Sequence, residues 1–402
     1  MNGSTRPAPR VAVVAEFYPS HRDPVLGVWA HRQALAARDA GAEIRVLVLN
    51  RLIPPRASLA AGPAGAARAL AARVSEPLAQ TLDGLSVTHV PYASPPRQRF
   101  YPSWGRWAAA PLAVALRHLR RSFDFDLVHA HNAVPAGDAA RIAAGGVPLI
   151  VSVHGGDVLH TALRGPAGAA AVRRGLGAAQ LVLANSRGVA ELARAAGAGE
   201  TRVVHLGSDL PPIRRERLGA SPPSLVTVGH LVARKRQADV LRALSVLGRR
   251  HPRLRYTIIG DGPERGALEA LADRLEVAER VEFLGQLDPA EALARARRAT
   301  LFVMPSTEEA FGVAYIEAMA AGIPAIGCRG EPGPEEIAAA GDGFLLVPPG
   351  DIERLTQRID ELLSDPQRMR EAAQRARATV AENFTWERCG EETLAAYRRL
   401  TR

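Results

Sequence analysis

Residues 301 to 327 read LFVMPSTEEAFGVAYIEAMAAGIPAIG. An apolar run ends at Pro305, a short polar loop carries Glu308 and Glu309, and a helical pattern opens near Phe311–Gly312. This order predicts a helix N-terminus whose free N–H groups and positive dipole end suit a diphosphate. Gly312, between Phe311 and Val313, lets a ligand approach the backbone closely. Glu317 is expected two turns into the helix, where a carboxylate accepts hydrogen bonds from a ribose diol. Glu309, on the loop, is placed for sugar hydroxyls, so two carboxylates address two parts of one nucleotide sugar.

Working outward, short apolar runs alternate with helical patterns along the whole chain, the signature of parallel α/β sheets. In the first half, strands are predicted at 11–15, 44–49, 87–90, 127–130, 149–153, 181–184 and 203–205. A second series is predicted at 225–228, 256–259, 281–284, 301–304, 324–326 and 344–347. The chain's 402 residues exceed what one core usually fills. The stretch LPPIRRERLGASPP, residues 210 to 223, breaks the pattern with prolines and charge. The expected division is residues 1–207, a linker at 208–223, and a second domain at 224–386. Residues 51–80, rich in Ala, Gly and Pro, read as a mobile loop with some helix. Two doubly wound domains imply a cleft between them.

Charge sharpens the picture. Residues 1–207 hold 23 Arg, no Lys and 12 acidic residues, a net of +11, while the remainder is nearly neutral. Such asymmetry points to an anionic surface or substrate for the first half. The chain has a single lysine, Lys235, in a background that otherwise uses arginine, which marks a place for a compact ammonium. No run is long and apolar enough to predict a membrane-spanning helix, and Val11–Ala15 is too short for a signal-peptide core. Two cysteines, Cys328 and Cys389, predict neither a disulfide framework nor a zinc site, and a cytoplasmic location is expected.

The segment 301–327 closely resembles the donor-site motif of the retaining glycosyltransferases of family 4, which adopt the GT-B fold. The stretch from Val226 through Gly229 and His230 to Arg234 and Lys235 resembles the family's strand–Gly-Arg-Leu…Lys segment. His230 stands where the family has arginine. Gly260-Asp-Gly-Pro263, Gly341–Asp351 and Phe384-Thr-Trp386 match further family patterns, and Tyr18–Trp29, with Gly27, is similar to its glycine loop. Val128–His131 and Val151–Asp157 resemble its histidine segments.

The resemblance implies GT-B architecture, two Rossmann-like domains facing each other across a cleft, with helix 387–402 packing back on the first. It implies a retaining, metal-independent hexosyltransferase that uses a UDP- or GDP-sugar as co-substrate and needs no cofactor. Glu309 and His154 would hold the sugar and Lys235 the diphosphate. Glu317, Gly312, Val313, Phe311, His230, Arg234 and Gly27 would complete the donor side, with Asp157 and Asp23 toward a glycan, lipid-linked or small-molecule acceptor. His129 and His131 read as structural, and no carboxylate or Cys follows them at metal-ligand spacing.

Arginines interleave with Phe100, Tyr101, Trp104 and Trp107 between Arg97 and Arg121, a composition suited to an anionic membrane surface. A GT-B phosphorylase or epimerase would share the architecture. A nucleic-acid-binding protein would explain the sequence pI near 10.5, but no binding module is recognisable and the charge avoids the second half.

Overall fold

The computed structural model describes residues 7–20, 23–52, 60–74, 78–212 and 222–401. The chain forms two compact units, Met1–His205 with Cys389–Arg402, and Leu206–Arg388.

The first unit is built on eight strands: β1 Arg10–Ala15, β2 Glu43–Arg51, β3 Ala79–Leu82, β4 Leu85–Tyr92, β5 Leu127–His131, β6 Leu149–Val153, β7 Leu181–Ala184 and β8 Thr201–Val203. Their order is β3-β4-β2-β1-β5-β6-β7-β8, and only the β3–β4 pair is antiparallel. Strands β5, β6 and β7 are buried at every residue. Such runs alternate nothing and need helices on both faces, which is why the sheet is parallel. Ala15 lies beside His131, and His131 beside Ser152. The residues just past these strands, Glu16, Asn132 and His154, therefore emerge along one carboxyl edge.

The stretch expected as a mobile loop with some helix holds the helix Gly62–Val74, and Ala79–Leu82 adds the strand β3. Residues 53–59 and 75–77 of that stretch lie outside the described residues. The expected linker also needs correction at its start. Ser208 forms a parallel bridge to Thr385 and is buried, its N–H donating to Phe384 O at 2.9 Å. A Cβ on Gly207 would lie 2.3 Å from Trp386 N. Only beyond this packed segment does the proline-rich stretch begin, and its residues 213–221 lie outside the described residues.

The second unit carries β9 Ser224–Val228, β10 Arg255–Ile259, β11 Val281–Gly285, β12 Leu301–Val303, β13 Ala325–Cys328 and β14 Phe344–Val347. All its pairs are parallel, in the order β11-β10-β9-β12-β13-β14. This is the doubly wound order 3-2-1-4-5-6, whose direction reverses between β9 and β12. Leu225, Ile258, Leu301, Val303 and Ile326 fill the core without measurable exposure. Each such side chain contributes about 1.5–3 kcal/mol relative to exposure.

The last helix, Trp386–Leu400, gives its residues from Cys389 onward to the first unit. There Tyr397 pairs its hydroxyl with His129 Nδ1 at 2.8 Å, and Gln33 Nε2 donates to Thr393 Oγ1 at 3.2 Å. A Cβ on Gly390 would meet Ala36 O at 2.2 Å, so this close approach to Val28–Asp39 requires glycine. Among the described residues no helix is long and apolar enough to cross a membrane.

Candidate functional site

In the second unit the loops after β9 and β12 leave the sheet at its switch point, where open α/β sheets place their ligands. The β9 loop runs through Gly229 and exposed His230 to a 3-10 turn, Ala233–Lys235. Gly260 lets this loop close on its neighbour: a Cβ there would lie 2.0 Å from Gly229 O. Thr307 N–H donates to Arg234 O at 2.8 Å, and Arg234 Nη1 donates to Glu308 O at 3.4 Å. The two loops are thereby stitched together.

At their junction Lys235 Nζ lies 2.5 Å from Glu309 Oε2, with side chains 12% and 11% exposed. Ser306 Oγ donates to the same oxygen at 2.7 Å. Among the described residues Oε1 has no protein partner. Burial pushes the Glu309 carboxyl up, but Lys235, Ser306 and Arg234 outweigh it and hold the group below its ordinary value. Glu309 is therefore ionised at neutral pH. The loop is braced from behind, since Glu309 N–H donates to Glu331 Oε2 at 3.0 Å and Gly333 N–H to Glu309 O at 3.0 Å.

The helix that follows is Val313–Ala320, with Gly312 at its N-cap in the left-handed region, φ 90°. It starts directly after Phe311–Gly312, where the pattern opens it, and Glu317 lies about one turn in, half-buried, and not two. The N–H groups of Val313 and Ala314 carry no intrahelical bond and face outward from the helix end. A Cβ on Gly312 would strike the Tyr315 ring at 2.3 Å, so its bareness serves this packing as well as any ligand. Phe311 turns its side chain inward against Phe384, centroids 5.7 Å apart, and its backbone packs on Gly333, where a Cβ would lie 2.2 Å from Phe311 O.

The first unit gathers its polar groups along the carboxyl edge of its sheet. His131 Nδ1 and His154 Nε2 pair at 2.9 Å, with rings stacked at 5.2 Å and 3°. His129 joins Tyr397 and, through Nε2, Ser152 Oγ at 2.7 Å. Burial pushes His129 and His154 down to about 3, and His131 well below its usual value, so the three rings are neutral at pH 7. His154 Nδ1 is buried without a partner, and the Trp29 ring stands 6.1 Å away with its own Nε1 unpaired. No group of three or more His, Cys, Asp or Glu with metal-binding geometry occurs among the described residues.

Three residues expected at the site in this unit make contacts of their own within the chain. Gly27 sits at φ 73°, where a Cβ would lie 2.2 Å from Phe17 C. The backbone that its missing side chain admits is the chain's own. Asp157 is buried, and its two oxygens accept from Ala133 N at 3.0 Å and Val134 N at 3.2 Å. Burial raises it to about 6, against those two bonds. Its work is to hold the loop after β5. Asp23 accepts from Val25 N and Leu26 N through Oδ1, folding its own turn; His21 and Arg22 before it lie outside the described residues.

The sequence motifs mark neither Glu16 nor Arg97 as a site residue, Arg97 entering only with the basic aromatic stretch. Glu16 Oε2 accepts from the Tyr101 hydroxyl at 2.9 Å, and Oε1 stands 3.7 Å from Arg97 Nη1. The signal was available in an acidic residue closing a fully apolar strand. Glu331, bracing the loop that carries Glu309 from 22 residues away, carried none.

Comparison with known proteins agrees with this architecture. The family model described as glycosyl transferases group 1 matches residues 213–379, and that of glycosyltransferase family 4 matches residues 26–210. A D-inositol 3-phosphate glycosyltransferase of Catenulispora acidiphila is 33% identical over 82% of this chain and 84% of its own length. The chain belongs to glycosyltransferase family 4. It spans less than half of several other curated relatives, 29% of a Streptomyces coelicolor exopolysaccharide phosphotransferase and 49% of Mycobacterium tuberculosis glycogen synthase. Among solved structures, sucrose-phosphate synthase from Thermosynechococcus elongatus matches with TM-score 0.77 at 21% identity, covering 97% of this chain and 99% of that one. Anabaena HepE in complex with UDP and glucose matches with TM-score 0.69 at 19% identity, covering 97% and 99%. The fold is GT-B.

Proposed function

We propose that this protein transfers a hexosyl unit from a UDP- or GDP-sugar to a hydroxyl of a glycan, lipid-linked or small-molecule acceptor, with retention of anomeric configuration. One observation carries the reading. At the switch point of the second sheet, a lone lysine and a glutamate with one unengaged oxygen meet beside a helix N-terminus. Lys235, Arg234 and the N–H groups of Val313 and Ala314 supply positive charge for a departing diphosphate, the role of fixed electrostatic stabilisation. His230 and Arg234 share the place that the family gives to arginine. Oε1 of Glu309 accepts from sugar hydroxyls, and Glu317 is assigned to the ribose. In the first unit, the unpartnered Nδ1 of His154 is assigned to a sugar hydroxyl.

Transfer follows same-face attack. The acceptor oxygen bonds to the anomeric carbon as the bond to the phosphate oxygen breaks, and the acceptor proton passes to the departing phosphate. No enzyme nucleophile and no resident metal enters this scheme, because Lys235 and Arg234 already offset the developing charge. A screen of UDP- and GDP-sugars scored by released nucleotide tests the reading, and NMR of the product tests retention. An inverted product would contradict the mechanism. Release of sugar 1-phosphate with inorganic phosphate alone would favour a phosphorylase.

We also propose a cytoplasmic enzyme that touches an anionic membrane surface. The helix Trp104–Arg120 lacks acidic residues, and its exposed side presents Trp107 and Val114, 51% and 58% exposed, among Arg106, Arg117 and Arg121. Tyr101 and Trp104, counted with this surface on composition, are buried instead. Co-sedimentation with phosphatidylglycerol vesicles at low salt tests the contact; equal sedimentation with neutral vesicles would contradict it.

A further inference from the structure

Arg97 has a guanidinium that the transfer scheme does not use. It opens the short helix Arg97–Phe100, beyond the carboxyl end of β4. Its Cζ lies 4.3 Å from the Tyr101 ring centre, 5.3 Å from Phe17 and 5.6 Å from Trp104. Glu16 Oε1 is 3.7 Å from Nη1, beyond hydrogen-bond reach. Three rings and one carboxylate thus hold the group in place, yet among the described residues none of its five N–H donors makes a hydrogen bond. The side chain is 47% exposed.

Arg51, which also stacks on Trp104 at 4.5 Å, differs in this respect. Its Nε donates to Ser94 Oγ, and Nη2 to the carbonyls of Ser94 and Pro95. Arg51 is a structural strut, whereas Arg97 is held by stacking with its fork unengaged. A guanidinium fixed in this way loses little freedom on binding and matches the paired oxygens of a phosphate or carboxylate. A second observation points the same way. Tyr92, last residue of β4, packs its ring 6.2 Å from Trp104, and its buried hydroxyl has no partner among the described residues. A buried hydroxyl left unbonded is the kind of group that a ligand oxygen satisfies.

We propose that Arg97 anchors an anionic group, a phosphate or a carboxylate, carried by the sugar acceptor, and that Glu16 competes with that anion for the guanidinium. The word acceptor rests on the sugar-transfer reading, but the anion site itself does not. Burial pushes the Glu16 carboxyl up to about 7, against Arg97, the Tyr101 hydrogen bond and Arg51, and with Asp157. Tyr92 is the remaining titratable neighbour. Above that pH the ionised carboxylate occupies the field of Arg97; below it the guanidinium is free for a ligand. An arriving anion therefore favours protonated Glu16. Binding takes up a proton near pH 7, and affinity weakens as pH rises from 6 to 8, by at most about tenfold per unit for one proton.

Isothermal titration of the full chain with glycerol phosphate and with malate, and with glycerol as the neutral control, tests this. Two buffers of different ionisation enthalpy count the protons. A parallel sedimentation with phosphatidylglycerol vesicles distinguishes a lipid-borne anion from a small soluble one. Arg97→Gln is expected to weaken the charged ligand at least tenfold and Arg97→Lys less, since charge remains without the fork. Arg99→Gln, losing the same charge two residues away, is expected to change little. Glu16→Gln is expected to remove the pH dependence. Thermal shift with UDP and with GDP monitors the second unit in every variant, so binding of neither would count against sugar transfer and not against the anion site. Equal binding of glycerol, undiminished binding by Arg97→Gln, or an equal loss in Arg99→Gln would overturn the proposal.

Discussion

Replacing Lys235 by methionine keeps the length of the stem and deletes the ammonium. In the native protein that ammonium lies 2.5 Å from Glu309 Oε2, and both side chains are nearly buried. Removing one partner of a buried pair costs about 3–5 kcal/mol, because the other charge is left stranded. Two features reduce the loss. Ser306 still donates to the same oxygen, and Arg234 remains as a second, more distant cation. A destabilisation of about 2–3 kcal/mol is therefore expected at pH 7.

Its pH dependence tests the cause. In the native protein burial raises Glu309, but Lys235, Ser306 and Arg234 bring it below its ordinary value. That stabilisation is fully present above the unfolded-state pKa and is lost as pH falls through the folded one. In Lys235→Met the burial is less opposed, so the folded pKa rises and the native state gains a proton on acidification. The deficit of the variant must then shrink between pH 7 and pH 5. Urea unfolding of wild type, Lys235→Met, Glu309→Gln and the double variant reads both effects. The double variant, with no stranded charge, should recover most of the loss. A deficit unchanged between pH 7 and pH 5, or undiminished in the double variant, would refute the reasoning.

Glu16→Gln should be more stable than wild type at pH 8. Native Glu16 keeps its proton up to about 7, so wild-type stability falls between about pH 4.5 and 7, by up to about 3 kcal/mol that the variant retains; unfolding at pH 5 and pH 8 measures the gap. Gly27→Ala places a methyl 2.2 Å from Phe17 C at φ 73°. It should cost about 3 kcal/mol or more, seen as a lowered unfolding midpoint. Nucleotide release by the purified enzyme should be unchanged by EDTA. A loss restored by a divalent ion would mean that a metal, rather than Lys235 and Arg234, offsets the charge of the departing diphosphate.

Much of the fold was legible in periodicity. Buried parallel strands are apolar on both faces, so runs such as Leu149–Val153 announce themselves. Strand β3 did not, because Ala79–Leu82 has only four residues, none fully buried, too few to show a period. The loops after β9 and β12 were visible as motifs, but their contact was not. The Lys235–Glu309 pair spans 74 residues and exists because β9 and β12 are neighbours at the switch point. Gly27 answers to a contact that local sequence does not show: Phe17 and Tyr18 pack where its side chain would stand. The Glu16–Tyr101 bond, across 85 residues, had no local signal beyond the carboxylate itself.

The helix Trp386–Leu400 has a consequence for how the chain is made. A ribosome releases the first sheet early, but Tyr397, Thr393 and Gly390 reach it only after the whole second unit has been synthesised. Until then His129 lacks its tyrosine partner and the groove along Val28–Asp39 is uncovered. The first unit thus matures last although it is translated first, and nascent chains stalled before residue 389 should hold it loosely, open to proteases and chaperones.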